Sequence, residues 1–230
     1  MPAPGLRLLF FQIVVDIGGR IRRDTPSKGD IAISTYDGRA YYAFSSMLRM
    51  MNLPYSSRSF NSLKNGVKLV LTTEKEHIFI PHHEVLTLEE LNGNLDLSKL
   101  IIFKRLYGEQ TLIIGLDPGK RIGMVATYGS KRMLSRVFNS VIEVRNSVAS
   151  LLSYPAVKKI IKIGDGDRSV ARSLASKLYS VAGRNAIIEM VDEQGTSIPS
   201  RYPTGLKRDI GAAMMIAFRS GIRYEPALLH

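Results

Sequence analysis

The chain has 230 residues and no cysteine, which excludes disulfides, thiolate metal sites and a cysteine nucleophile. Its four histidines (His77, His82, His83 and His230) are too few and too badly spaced for a histidine-based zinc site. A hydrophobic fraction of 45% is enough for a globular core, and no apolar stretch approaches the roughly 18 residues of a membrane span. The 32 Lys and Arg against 20 Asp and Glu give a net charge of +12, which points to a polyanionic partner, nucleic acid first; basic residues that only aid solubility predict the same total.

The charge is uneven. Up to Gln110 there are 14 basic and 11 acidic residues; from Thr111 onward there are 18 and 9. That asymmetry predicts two domains with different tasks.

In chain order, Leu6–Ile17 is apolar but interrupted by Arg7, Gln12 and Asp16, so it reads as a strand or an N-terminal arm rather than a signal peptide. A cytoplasmic protein is expected. Residues 18–29 are basic and turn-rich. The pattern then predicts a strand over 30–35, a turn at Asp37-Gly38, a helix over 39–52 ended by Asn52-Leu53-Pro54, and a strand over 68–72. Short strands are expected at 77–80 and 100–103, with a helical turn at 86–92. Together these predict a small α/β domain over 30–108. Tyr36, Tyr41, Tyr42, Tyr55, Arg39 and Arg58 read either as an aromatic and basic surface for nucleic acid or as core and edge packing.

The second half is more legible. Thr111–Asp117 is apolar on both faces and so belongs in the middle of a sheet. Strands are predicted at 123–128 and 131–138 around a tight turn at Gly129-Ser130, then a helix at 141–152 and a strand at 159–163. A helix at 168–182 ended by Gly183, a strand at 186–191 and a helix at 204–219 follow. The order is βββαβαβα. Acidic residues fall where strands end: Asp117, Asp165, and Asp192 with Glu193; Asp209 lies in the last helix. Functional groups of α/β sheets gather at such carboxyl ends.

Three segments carry a resemblance. GLDPGKRIGMVAT (Gly115–Thr127) resembles the first strand and hairpin of the RNase H-like superfamily, nearest to the RuvC-type Holliday-junction resolvases and their YqgF-type relatives. VDEQGTS (Val191–Ser197) is similar to the segment after the fifth strand of YqgF-type proteins, and RDIGAAMMIA (Arg208–Ala217) to their last helix. The resemblance covers about residues 111–221 and implies an RNase H-like domain over 111–224, a mixed sheet flanked by helices, preceded by the smaller α/β domain. It implies a divalent-metal-dependent endonuclease acting on structured DNA or RNA, with Mg²⁺ or Mn²⁺ held by Asp117, Asp165 and Asp209, and Glu193 as a further ligand or water-orienting group. Such metals activate a water and stabilise the leaving oxygen. They need only oxygen ligands, which suits a chain without cysteine. Lys120, Arg121, Arg168, Arg172, Lys207 and Arg208 would hold the flanking phosphates. A homodimer follows by analogy alone, and no membrane partner is implied.

Each of these residues has a plainer reading. Asp117-Pro118-Gly119 is also turn chemistry. Asp167 is placed to cap the helix at 168. Asp165 also reads as a loop carboxylate, Asp192 and Glu193 as partners of Arg201, and Asp209 as a surface charge favoured by the helix dipole. The basic residues would also balance neighbouring aspartates. Resolvases commonly carry a second carboxylate one turn along the last helix, where this chain has Ala212, and Asp165 stands where they have Glu. Two other classes stay open: a nucleic-acid-binding protein of the same fold without turnover, and an actin- or sugar-kinase-like ATP binder, disfavoured because no second phosphate loop is found.

Overall fold

A computed structural model describes residues 26–63, 66–91, 93–193 and 206–226. The expected strand or arm over Leu6–Ile17 lies outside them. The chain is α/β throughout and divides after Gly108 into two compact units.

The first unit is built on a wholly parallel sheet of four strands: β1 (Ile31–Ile33), β2 (Ser56–Ser57), β3 (Leu69–Thr72) and β4 (Val85–Thr87), in the order β2-β1-β3-β4. Parallel strands need crossovers, and short helices supply them. Helix α1 (Gly38–Met50) follows β1, and Asp37, expected only as a turn residue, is its N-cap, accepting from the Arg39 and Ala40 amides. It ends where Asn52 takes φ 54°. The core is Ile31, Ile33, Phe44, Leu48, Leu69 and Leu71, all at most 1% exposed.

Three expectations need correcting here. Residues 77–80 are not a strand: helix α2 (Glu74–His77) ends there, and the Phe79 and Ile80 amides turn back to the Glu76 and His77 carbonyls, both at 3.0 Å. The helical turn expected at 86–92 is shorter: Val85, Leu86 and Thr87 extend into β4, and only then does a single turn form, with the Leu91 amide on the Leu88 carbonyl at 3.1 Å and Glu90 on the Thr87 amide. Residues 100–103 are not a strand but the middle of α3 (Leu95–Tyr107), capped by Asn94 and closed by Gly108. A four-residue apolar run cannot distinguish the two by periodicity; the flanking cap residues do.

The second unit holds a six-stranded mixed sheet. Its strands are β5 (Thr111–Pro118), β6 (Ile122–Tyr128), β7 (Lys131–Phe138), β8 (Lys158–Gly164), β9 (Ile187–Val191) and β10 (Ile222–Arg223), in the order β10-β9-β8-β5-β6-β7. As its two apolar faces predict, β5 lies inside the sheet, antiparallel to β6 and parallel to β8. Helices α4 (Val141–Leu152) and α5 (Arg168–Ala182) occur where periodicity places them, and α6 (Leu206–Phe218) closes the order. The short antiparallel β10 has no clear pattern in the sequence; it pairs Ile222 with Met190.

Side-chain alternation separates the two faces of this sheet. Helix α6 lies on the face carrying Ile113, Gly115 and Asp117 of β5, because a side chain at Gly115 would strike the Ala213 carbonyl and come within 2.8 Å of the Ala217 methyl. The far end of α6 is tied down by Lys162 of β8, whose ammonium donates to the Arg219 carbonyl and lies 3.6 Å from the Glu189 carboxylate. A lysine 8% exposed survives in a sheet because both its acceptor and its counter-charge are built in.

Candidate active site at the carboxyl end of the second sheet

Asp117 is the penultimate residue of β5, and its cross-strand partner in β6 is Gly123. The missing side chain of Gly123 leaves room that α6 fills: a Cβ there would collide with the backbone carbonyl of Asp209. Asp117 and Asp209 are thus brought together by a glycine. Of the three small residues after Asp209 in α6, Gly211 and Ala212 are half-exposed and only Ala213 is turned to the sheet, with Ile216 and Ala217.

Glu193, two residues after β9, lies against a second glycine pair. Its carboxylate occupies the place where a Gly164 side chain would be and sits 2.8 Å from where one on Gly166 would reach. The Gly-Asp-Gly-Asp loop after β8 is therefore a seat for Glu193. Asp165 holds that seat shut: its Oδ1 accepts the Glu193 amide at 3.3 Å, and its own amide bonds the Val191 carbonyl at 3.0 Å.

The electrostatics follow. Burial, then the charges of Glu193 and Asp209, push the Asp117 carboxyl up from 3.8 to about 6, against a smaller opposing pull from Arg208. Carboxylates from the end of β9 and the start of α6 therefore both act on the one at the end of β5. Repulsion of this kind is worth about 4 kcal/mol for a pair at 4 Å and an effective dielectric of 20. Asp165, one of the three expected ligands, is not among the groups acting on Asp117. Its Oδ2 faces Arg168 at 3.7 Å. Among the described residues, no group of three or more His, Asp or Glu side chains is placed to hold a metal ion as it stands.

The basic candidates separate. The Arg121 guanidinium is 2.8 Å from Asp209 Oδ2, yet is not aligned to donate, so that buried oxygen has no hydrogen bond. Arg208 is exposed and close enough to act on Asp117. Lys120 and Arg172 are exposed, and the Arg168 side chain is 75% exposed. The side chain of Lys207 and the expected partner Arg201 lie outside the described residues. Asp167 is the N-cap of α5, accepting from the Ser169 and Val170 amides at 3.0 and 3.1 Å. Of the four tyrosines singled out in the first unit, Tyr36 and Tyr42 are 78% and 70% exposed, Tyr41 is exposed and Tyr55 half-buried, so none is core; the Tyr36 ring meets Phe60 edge-on at 4.6 Å.

Sequence reasoning ranked Glu193 below Asp165 and missed the role of Gly164 and Gly166. The signal was present as two glycines flanking Asp165, which a loop carboxylate does not require.

No family model and no curated protein matches the chain. Among solved structures, the crystal structure of A. aeolicus Argonaute is similar at 11% identity and a TM-score of 0.28, over 77% of this chain. The match spans 38% of that chain, well under half its length. At that level of likeness nothing about chemistry follows from it.

Proposed function

We propose that the second unit is an RNase H-like phosphodiester hydrolase acting on nucleic acid, with Mg²⁺ or Mn²⁺ held by Asp117, Asp209 and Glu193. The observation that supports this best is the glycine-mediated approach of Asp209 to Asp117, which places like charges together where a sheet has no structural need of them. The donor chemistry suits a hard divalent cation, since it is all oxygen and the charges of Glu193 and Asp209 both act on Asp117; the three carboxylates are not gathered into a ligand group as they stand, so binding would draw them together and part Asp209 from Arg121. Such a cation, when bound, polarises the phosphoryl group and activates water.

The chain's own residues have separable tasks. Asp117 is the central carboxylate. Asp165 is a positioning residue, fixing the backbone from which Glu193 projects. Arg208 and Lys120 attract the phosphates, as the excess of basic residues after Gln110 leads one to expect. Within the superfamily, the likeness of the three motifs to RuvC- and YqgF-type proteins favours structured DNA or RNA as substrate.

Mn²⁺- and Mg²⁺-dependent cleavage of junction, flap, duplex and single-stranded substrates tests the reading. Cleavage is expected to vanish in Asp117→Asn with the fold intact, and activity that survives that substitution overturns it. A second reading, binding without turnover, is favoured by one observation: Arg121 already stands beside Asp209 as a fixed cation. Binding without cleavage across the panel, unchanged by Arg121→Ala, would select it.

A further inference from the structure

The residue after Asp117 opens a different feature. Pro118 points to the other face of β5 and borders a cavity of about 360 Å³ formed between the β5–β6 hairpin and helices α4 and α5. Its volume falls in the range of small-ligand sites, about 300–1,000 Å³. The polar lining is Lys120, Asn139, Ser169, Ser173 and Lys177. Ser169, Ser173 and Lys177 are spaced four residues apart, so they form one stripe along α5. That stripe lies one position beyond Arg168 and Arg172, which do not line the cavity.

Charge decides what fits. Lys120 and Lys177 are both exposed, and among the described residues neither has a carboxylate partner. The cavity therefore has two uncompensated ammonium groups and no acid of its own, which specifies an anion. The remaining wall is apolar, with Ile122 and Leu174 buried beneath the rim. A bare inorganic anion has no use for that wall, whereas a nucleotide presents a phosphate to the lysines and a sugar or base to the apolar side.

We infer that this cavity seats one nucleotide of a single nucleic-acid strand, with its phosphate between Lys120 and Lys177, next to the unit that meets Asp117. The inference rests on the hydrolase reading for its choice of ligand and adds to it the path of the strand: over the carboxyl end of β5, from the face of α6 to the face of α5. A concave seat for one unit selects an unpaired strand, since a stacked duplex does not offer a single base.

The test is binding of a short labelled oligothymidylate to the full chain in EDTA, where no metal-dependent cleavage occurs, followed by fluorescence anisotropy across a salt series. Lys177→Ala is expected to lower the slope of log K against log[salt] by about 0.7, the value of one phosphate contact on a single strand. Ser173→Trp fills the cavity and leaves both lysines in place; a loss of about fivefold in affinity is expected, the low end for a base deprived of its seat. Lys158→Ala, at the opposite end of β8, is the control for charge alone. A Lys177→Ala slope equal to that of Lys158→Ala overturns the inference. So does native affinity in Ser173→Trp, a melting curve establishing that the variant is folded, or competition by thymidine monophosphate as strong as by the oligomer.

The two readings fail separately. If Lys177-dependent binding is present and the native protein cleaves nothing with Mg²⁺ or Mn²⁺, the seat stands and the hydrolase falls. If the protein cleaves and its binding ignores Lys177 and Ser173, the hydrolase stands and the seat falls.

Discussion

Each unit carries a carboxylate at the carboxyl end of its sheet, and the two are treated in opposite ways. In the first unit Glu76 is surrounded by donors. The Tyr36 amide bonds it at 2.7 Å, Thr73 at 2.9 Å and Thr72 at 3.4 Å, and the Thr35 hydroxyl also donates to it. Burial works to raise its pKa, but these bonds outweigh that and hold it below the ordinary glutamate value. In the second unit Asp117 meets Glu193 and Asp209, and its carboxyl is pushed up to about 6. A carboxylate that finishes a fold is given donors; one given other carboxylates is destabilising as it stands and awaits a cation. The contrast supports a structural role for Glu76 and a chemical one for Asp117.

Asp117→Asn breaks the contrast most sharply. Cleavage should fall by at least about 100-fold, since even partners one bond removed from a metal cost 10–100-fold. The same substitution should stabilise the metal-free protein. The Asp117 carboxyl binds its proton more tightly folded than unfolded, so its contribution to stability declines as pH rises from about 4 to about 6. The shift sets an upper limit of ~3 kcal/mol. Solvent screening at this half-buried site reduces the expected gain above pH 6 to about 1 kcal/mol, vanishing below pH 4, measurable by urea unfolding at a series of pH values.

Metal sharpens the contrast next. Mn²⁺ at 100 times its dissociation constant should stabilise the second unit by about 2.7 kcal/mol, and in Asp117→Asn it should not. Chemical denaturation with probes in each unit checks this; an equal effect on the first unit would count against the carboxylate site. Gly123→Val tests the geometry. It should cost about 1–3 kcal/mol through overpacking against α6, and should remove cleavage by displacing Asp209. In the first unit Glu76→Gln should cost about 1 kcal/mol at pH 7, and its effect should fade as pH falls below the ordinary glutamate value, where the native carboxyl also takes a proton. Smallest are the caps: Asp37→Ala and Asp167→Ala should each cost about 1 kcal/mol or less and leave cleavage unchanged.

Legibility in the sequence followed element length and context. Strand β5 and helices α4 and α5 were read to within a residue, because each is long and has an unambiguous period or cap. The short segments 77–80 and 100–103 were misread, and 86–92 in part, since three or four apolar residues fit a strand or a helix equally. At the site, the placement of Asp117 at a strand end and of Asp209 in the last helix was legible from their motifs. The tasks of Asp165 and Glu193 were not, because they depend on which carboxylate fits over Gly164 and Gly166, a question of shape that residue type does not encode. The stripe through Lys177 was hidden for a similar reason: arginines next to an aspartate attract attention, while a lysine two turns along the helix is placed by the hairpin facing it.

The glycines bring a consequence for substitution tolerance. Gly108 has nothing within 4 Å of a would-be side chain, but its φ of 70° with ψ −165° lies in a region essentially confined to glycine, so backbone strain alone should exclude other residues there. Gly115, Gly123 and Gly164 have ordinary backbone angles and no free volume at all. In a saturation library Gly115 and Gly123 should reject alanine as firmly as asparagine, because the α6 backbone lies where each side chain would go, whereas at Gly164 it is the Glu193 carboxylate that a side chain would displace.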